Sequence, residues 1–204
     1  MAPSSSHVPE VYYDSRFKRT VHKLLPGQYT VVSGRDMIMT LLGSCVSVCI
    51  RDKNLGIGGM NHFMLAEDNR ENNSNWIEMY DMSSTRYGSN AMELLINGLI
   101  KKGGNKNHFE AKIFGGASLI SNISLIGSKN IALAKEYLKC ENISLANSDV
   151  GGKFPRKIFF IPETGDVYVK KITSSETGII LEQEEKYSKN IKTDNAEGDI
   201  YFFD

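Results

Sequence analysis

The stretch around the first two cysteines most limits what this chain can fold into. Residues 45–50 read CVSVCI, so apolar valine and isoleucine alternate with cysteine and serine. An alternation of period two is typical of a β-strand whose two faces differ. Residues 51–54 form a charged turn signal, and the glycine-interrupted segment 55–65 follows it. We therefore predict a β-hairpin whose second strand brings His62 back towards Cys45.

A thiol and an imidazole close together are parts of a nucleophilic site, because an attacking cysteine needs a base to take its proton. Cys45 follows Gly43-Ser44, where the chain can turn sharply and leave backbone N–H groups near the thiol. Of the four histidines, only His62 lies in an apolar, glycine-rich segment. The residue pattern also allows the plain alternative that Cys45 and His62 are both buried core residues.

Other uses of the three cysteines fit less well. In an extended strand, Cys45 and Cys49 lie about 13 Å apart at their Cα atoms, beyond the ~7 Å limit for a disulfide. Cys140 ends a predicted helix and is most simply a small hydrophobic residue. A metal site would need a third or fourth ligand, which Asp68 or Asp149 would have to supply. We therefore predict no metal and no cofactor.

Composition excludes several broad classes of protein. The 204 residues include 24 Lys plus Arg and 24 Asp plus Glu, a balance that disfavours a general nucleic-acid binder. No apolar run approaches the roughly 20 residues that span a bilayer, so we expect no membrane insertion. The N-terminus lacks the apolar core of a secretory signal. An odd number of cysteines indicates a reducing cytoplasm.

The remaining segments predict one layered α/β domain. Two amphipathic helices are indicated at residues 84–102 and 129–140. Two helices cannot cover both faces of a long parallel sheet, so we predict an α/β sandwich, α+β-like, with a mixed and largely antiparallel sheet. Further strands are predicted at the following ranges: 29–33, 111–114, 143–146, 157–161, 167–172 and 179–181.

The ends of the chain and one loop read as separate parts. We predict a loosely ordered arm over residues 1–22, a catalytic domain over 23–182 and a polar tail over 183–204. The tail ends in the apolar cluster Tyr201-Phe202-Phe203, which we interpret as a tether back onto the domain. The polar, Asn-rich residues 67–82 read as a surface loop of the kind that often binds partners.

Several stretches together resemble the chemoreceptor glutamine deamidase (CheD) family of bacterial chemotaxis. The two most specific are LLGSCVSVCIRD and GIGGMNHFML, and the likeness continues through YGSNAMELLINGLIKKGG, KIFGGASLI, IGSKNIALAKEYL and DVGGKFPRKIFFIPETGDVYVKKI. The resemblance covers about residues 24 to 172 in one order. It implies a single α/β sandwich domain similar to toxin-type deamidases. It also implies that this domain converts receptor glutamines to glutamates.

The resemblance also implies a Cys-His-Thr active site. Carried over to this chain, the nucleophile is Cys45 and the base is His62. Some family members place the threonine six residues before the cysteine, which is Met39 here, and we assign the role to the next residue, Thr40. Gly43 and Ser44 are then the candidates for an oxyanion-binding loop. Candidates for substrate or partner binding are Asn61, Asp149 and Arg156.

The partners that the resemblance implies are methyl-accepting chemotaxis receptors, reached at their cytoplasmic domains, and a response-regulator phosphatase of the CheC type. Two alternatives stay open at this point. The chain could be a non-catalytic adaptor that binds receptors or such a phosphatase. It could also be a cysteine protease or transglutaminase-like enzyme, which would share the nucleophilic chemistry.

Overall fold

The computed structural model describes residues 8–65, 82–119 and 124–194. These residues contain three α-helices, α1 (Met82–Lys101), α2 (Ser124–Cys140) and α3 (Ser174–Asp194), and a short 3₁₀ turn at Lys106–His108. They also contain ten strands: β1 (Glu10–Asp14), β2 (Arg19–Leu24), β3 (Tyr29–Ser33), β4 (Met37–Leu42), β5 (Val46–Asp52), β6 (Ile57–Asn61), β7 (Phe109–Gly115), β8 (Ser144–Val150), β9 (Arg156–Ile161) and β10 (Asp166–Lys171).

The strands form two five-stranded sheets. The order is β1-β2-β4-β9-β10 in the first sheet and β3-β6-β5-β7-β8 in the second. Only the β2/β4 and β7/β8 pairs are parallel among the described strands, and the other pairs are antiparallel. The predicted α/β sandwich with mixed, largely antiparallel strands is therefore confirmed, although the strands divide between two sheets. The likeness to toxin deamidases stays a prediction.

Three layers of apolar side chains hold the sandwich together. Helices α1 and α2 pack on one face of the second sheet, over a core that includes Val48, Leu95 and Ile113. A second core lies between the two sheets and includes Ile38, Cys49 and Phe160. We call this second core the inter-sheet core. A smaller cluster covers the other face of the first sheet.

Strand β5 has the two different faces that its sequence predicts. Val46, Val48 and Ile50 point into the core under the helices, whereas Cys45 and Cys49 point into the inter-sheet core. Strand β6 returns antiparallel beside β5, and a further bridge joins Val46 to Phe63. The predicted hairpin is confirmed.

Strand β4 is buried on both faces. Ile38 and Leu42 face the inter-sheet core, while Met37 and Met39 face the opposite cluster. Thr40 lies two residues from both Ile38 and Leu42, so its side chain points from the same face of β4 into the inter-sheet core. Met39, the alternative position that the resemblance implied for the threonine, therefore points away from the inter-sheet core.

The structure differs from the sequence prediction at the ends of the chain. Residues 10–14 and 19–22, inside the predicted arm, lie in β1 and β2, which pair with each other. Residues 179–181 lie in α3 rather than in a strand, and that helix continues to Asp194 through the predicted polar tail. A short apolar run such as 179–181 has no period long enough to separate strand from helix.

Three further expectations can be compared with the described ranges. The surface loop predicted at 67–82 lies almost wholly outside the described residues, and the cluster at 201–203 lies entirely outside them. Cys140, interpreted as a small hydrophobic residue at the end of a helix, is the last residue of α2 and is exposed.

The end of β7 approaches Cys45 so closely that only glycine fits there. Gly115 has φ +106°, and an ideal Cβ on it would lie 2.2 Å from the backbone oxygen of Cys45. We expect Gly115→Ala to lower the free energy of unfolding by about 2–4 kcal/mol, since it adds a clash with backbone to an unfavourable φ. Urea denaturation measures this loss.

Gly34→Ala is the matched control for Gly115→Ala. Gly34 also has positive φ (+67°), but nothing lies within 4 Å of an ideal Cβ there. We expect it to cost only about 1 kcal/mol, the strain of a left-handed backbone alone. Equal losses for the two variants would show that the contact with the Cys45 carbonyl is not tight.

Candidate active site

Cys45 lies immediately before β5, and hydrogen bonds to carbonyl groups fix the turn that carries it. The backbone oxygen of Cys45 accepts a bond of 2.7 Å from Gly116 N–H. The oxygen of Ser44 accepts a bond of 3.0 Å from the Nδ2 of Asn130, a fully buried residue of α2. Asn130 also receives the N–H of Leu65 at 2.8 Å. Asn130 therefore ties the turn to the segment after His62.

Asn130 was not among the residues predicted for the site. Its signal is a polar side chain on the buried side of an amphipathic helix, near Ala134. A buried amide needs hydrogen-bond partners, so such a residue usually holds backbone that would otherwise be unpaired. In this fold the backbone in question belongs to the candidate site.

His62 follows β6 and is bound by Thr40. The Oγ1 of Thr40 lies 2.8 Å from the Nδ1 of His62 and donates its single proton to the backbone oxygen of Leu24 at 2.9 Å. Because that hydroxyl proton is committed to a carbonyl, the proton in the other bond belongs to Nδ1 of the imidazole. The Nε2 of His62 then carries a lone pair and can accept a proton.

The register of the hairpin places Cys45 and His62 on the same face. Val46 and Phe63 bridge each other and both point into the core under the helices. The residues that precede them therefore leave the opposite face as diagonal neighbours, at the spacing from which side chains interact across antiparallel strands. Among the described residues the Nε2 of His62 is buried and has no hydrogen-bond partner. No described group therefore occupies the lone pair of Nε2.

Burial keeps both groups uncharged in this structure. Burial lowers the pKa of His62 to about 3. Burial also raises the pKa of the Cys45 thiol well above its ordinary value, and the charge of Glu184 and a hydrogen bond to it add to that effect. Taking either group out of water disfavours its charged form. The pair is therefore a neutral thiol and a neutral imidazole.

A carboxylate from α3 occupies the turn before Cys45. The Oε1 of Glu184 accepts the N–H of Gly43 at 3.1 Å and the N–H of Cys45 at 2.9 Å. Its Oε2 accepts the N–H of Ser44 at 3.1 Å and the hydroxyl of Ser44 at 2.7 Å. Three consecutive backbone N–H groups thus converge on one anionic group, which is the arrangement that binds an oxyanion.

Glu184 is the main residue of this site that sequence reasoning missed. It lies in the segment interpreted as a polar tail, where acidic residues are usually solvated. The available signal is helical spacing, since Ile180, Glu184 and Tyr187 fall on one side of a helix. A carboxylate between two apolar residues on such a stripe indicates a buried acceptor.

Asn61, the first of the predicted binding residues, is held by contacts within the protein. Asn61 is fully buried, accepts the N–H of Val48 at 2.9 Å and donates to Ala91 of α1 at 3.1 Å. Direct substrate binding by Asn61 does not fit this position, because its side chain lies on the helix side of the second sheet and its bonds are made within the protein.

Arg156 and Asp149, the other two predicted binding residues, hold a glycine loop in place. Arg156 is 2% exposed and donates to the carboxylate of Asp149 at 2.9 Å, as well as to the backbone oxygens of Asp149 and Gly151. Gly151 N–H in turn bonds to the oxygen of Gly115 at 2.8 Å. The pair therefore stabilises a loop that reaches the end of β7, beside the turn that carries Cys45.

Metal-binding clusters and membrane-spanning helices are both absent from the described residues. No group of three or more His, Cys, Asp or Glu side chains is placed to hold a metal ion within the described ranges. No helix in those ranges is both long and apolar enough to cross a membrane.

The neutral His62 predicts a pH dependence of stability. In the unfolded chain an imidazole has an ordinary pKa near 6.5, whereas in the folded chain the pKa of His62 is about 3. Between these two pH values the imidazole binds a proton in the unfolded state but not in the folded state. The free energy of unfolding therefore decreases as the pH falls. We expect this residue to remove about 2 kcal/mol of unfolding free energy between pH 7 and pH 5.

Urea denaturation of wild type and His62→Gln at both pH values isolates this contribution. Glutamine fills similar space and does not titrate, so the variant should lose less stability on acidification by about 2 kcal/mol. Equal losses in the two proteins would show that His62 is not held in its neutral form.

Comparisons with known proteins agree on one family. Residues 64–171 match the family model described as CheD chemotactic sensory transduction. A probable chemoreceptor glutamine deamidase CheD from Methylobacillus flagellatus is 43% identical over 195 residues, which cover 95% of this chain and 94% of that protein. The protein of the same description from Halorhodospira halophila is 38% identical, over 98% of this chain and 92% of that protein. The probable chemoreceptor glutamine deamidase CheD 1 of Shewanella oneidensis is 42% identical, over 96% of this chain and 93% of that protein. The chain therefore belongs to the CheD family.

Proposed function

We propose that this chain is a protein-glutamine deamidase that converts glutamines of chemotaxis receptors to glutamates, with Cys45 as the nucleophile. Thr40 and His62 carry the proposal. Their hydrogen bond fixes the tautomer in which Nε2 can accept a proton, and His62 leaves the same face of the hairpin as the Cys45 thiol. The names of the relatives supply the substrate class.

The first half of the reaction forms a thioester. The Nε2 of His62 takes the thiol proton, and the sulfur of Cys45 attacks the side-chain amide carbon of the glutamine. The carbonyl oxygen becomes negatively charged as the tetrahedral intermediate forms. The N–H groups of Gly43 and Cys45 bind that oxygen, because both donate to the same oxygen of a carboxylate here. The imidazolium of His62 then gives its proton to the amide nitrogen, and ammonia leaves.

The second half restores the thiol. Water loses a proton to the Nε2 of His62 and attacks the thioester carbon, the carbon–sulfur bond breaks, and the imidazolium of His62 returns the proton to the sulfur. The net reaction consumes the amide and one water and yields a carboxylate and an ammonium ion. Thr40 acts through His62 as a positioning residue, since its hydroxyl holds the imidazole by Nδ1. No step requires a metal or an organic cofactor.

The hydrogen bond to Thr40 also bears on the adaptor alternative. The adaptor alternative arose because this chain has Met39 at the position where the resemblance implied a threonine. Met39 points away from the site, while the neighbouring Thr40 contacts His62. Two further partner predictions belong to this proposal. The enzyme acts on the cytoplasmic domains of the receptors, and a phosphatase of the CheC type binds it.

The direct test is to incubate the protein with the cytoplasmic domain of a candidate chemoreceptor. We expect individual receptor peptides to gain the mass of a glutamine-to-glutamate change, with release of one ammonia for each site. A protease would instead cleave the receptor, and a transglutaminase would cross-link it. An unchanged receptor mass with no ammonia released would contradict the proposal.

A further inference from the structure

The group bound at the proposed oxyanion site has the chemistry of the reaction product. Glutamate differs from glutamine only in its terminal group, so both side chains reach the same distance from a helix. The Oε1 of Glu184, between the N–H groups of Gly43 and Cys45, lies where the carbonyl oxygen of a target glutamine would bind. Its Oε2 accepts the N–H of Ser44, a position that an amide nitrogen, itself a donor, fills less well. The site therefore holds a carboxylate in preference to an amide.

One side of α3 is fitted to this surface between residues 180 and 187. Ile180 is 2% exposed and Glu184 is 7% exposed, and Tyr187 packs against the inter-sheet core. These residues are four and three positions apart, so they form one stripe along the helix. An ideal Cβ on Gly27 would lie 2.7 Å from the ring of Tyr187, so the ring lies directly on the backbone there. The surface below α3 is thus shaped for a helix with one acceptor side chain between two apolar ones.

Gly43 allows the carboxylate to approach the turn. An ideal Cβ at this position would lie 2.9 Å from the Oε1 of Glu184 and 2.7 Å from the Cδ1 of Leu119. Any larger residue would therefore push the bound side chain away from the backbone N–H groups. The glycine serves an incoming side chain, since its φ does not fall among the positive values found at Gly115 or Gly116.

We propose that α3 occupies the docking surface for the target helix and blocks it, with Glu184 bound in place of the side chain of the target glutamine. This proposal rests on the proposed deamidase function and adds how the substrate binds. A target is then a helical segment that presents glutamine with an apolar residue one turn before it and another one turn after it. Deamidation requires that segment to displace α3.

The outer side of α3 is consistent with a helix that can leave. It carries two exposed ion pairs at i,i+4 spacing, Lys186 with Glu182 at 2.7 Å and Lys189 with Glu185 at 2.8 Å. Such pairs support an isolated helix but do not attach it to the protein. Gly178, a poor helix former, lies near its start. The tether to β10 keeps the local concentration of α3 on the order of millimolar, so weakly binding helices are excluded.

The first experiment measures receptor deamidation by the full chain with Glu184→Ala. Loss of the hydrogen bonds to a charged group should raise kcat/KM by about 10- to 100-fold, because α3 then competes less well. Glu185→Ala is the matched control, since Glu185 is the next carboxylate of the same helix and is bonded to the exposed Lys189. It should leave kcat/KM unchanged.

The second experiment turns α3 into a substrate. In Glu184→Gln the thiol of Cys45 attacks the amide carbon of the introduced glutamine, ammonia leaves, and water hydrolyses the thioester to regenerate glutamate. Peptide mass mapping of the purified variant should find glutamate at position 184, and glutamine in the double variant with Cys45→Ala. Gln183 in the same peptide is an internal control and should remain glutamine in both.

The outcomes separate this proposal from the proposed function. If wild type and Glu184→Ala deamidate the receptor equally fast, or the variant is slower, α3 is not a competitor and this proposal is overturned. Persistence of the introduced glutamine in a Glu184→Gln chain that deamidates the receptor has the same meaning. If none of the proteins acts on the receptor and the introduced glutamine also persists, the deamidase function itself fails. Conversion of the introduced glutamine to glutamate supports the docking proposal even where the chosen receptor is not a target.

Discussion

Cys45→Ala is expected to abolish receptor deamidation, with a decrease in kcat on the order of 10⁴-fold or more. The thiol is the only side chain in the proposed mechanism that forms a bond to the substrate carbon, and alanine leaves nothing to replace it. The oxyanion-binding N–H groups remain, so substrate should still bind. The measurement is the mass of receptor peptides over time, together with the ammonia released.

Cys49→Ala is the matched control for this loss. Cys49, in β5, is a second buried free cysteine that faces the same inter-sheet core, four residues after Cys45. Its replacement should cost about 1–2 kcal/mol of stability and leave kcat within about three-fold of wild type. Normal deamidation by Cys45→Ala would show that Cys45 is not the nucleophile. Equal losses in both variants would mean that packing, not chemistry, explains the effect.

Thr40→Val is expected to lower kcat by about 10²- to 10⁴-fold with a much smaller change in KM. Valine has nearly the same shape but no hydroxyl, so the Nδ1–H of His62 loses its acceptor and the backbone oxygen of Leu24 loses its donor. The imidazole can then adopt the other tautomer, in which Nε2 is protonated and cannot receive the thiol proton. Steady-state kinetics on a receptor domain measure both parameters.

Thr40→Ser distinguishes positioning of His62 from packing of β4. Serine keeps the hydroxyl and removes a methyl group, so it should restore kcat to within about ten-fold of wild type while it lowers stability by about 1 kcal/mol. If Thr40→Val retains full kcat, the hydroxyl does not position the base. If the serine and valine variants are equally impaired, the loss comes from packing in the inter-sheet core.

Much of the fold can be predicted wherever apolar and polar residues alternate with a clear period along the sequence. β5 has one face against the helices and one against the other sheet, and these faces differ in residue type, so its alternation is visible. The helix predicted at residues 84–102 is found as α1 at Met82–Lys101 for the same reason. A period is visible only when the two sides of an element face different surroundings.

Where both sides of a strand are buried, the period disappears. β4 reads MIMTLL, and its residues 37–40 are all buried. Pattern alone therefore cannot choose between Thr40 and Met39, the position that the family resemblance offered as the alternative. The register of β4 with its two neighbours points Thr40 at His62 and Met39 at the cluster on the outer face of the first sheet, which supports the assignment of Thr40.

Local sequence was enough to pair Cys45 with His62, because one tight hairpin joins them and strand pairing follows from nearby residues. It was not enough for Glu184, which lies 139 positions from the N–H of Cys45 that it accepts. A contact of that range depends on how two sheets and a final helix pack together, and no local pattern encodes it. The amino-acid order thus specifies a thiol, an imidazole and a glycine turn near one another, to which we assign the proposed roles of nucleophile, base and oxyanion site. Packing of the two sheets and α3 places the carboxylate of Glu184 on that turn, and the proposed control of access depends on this contact.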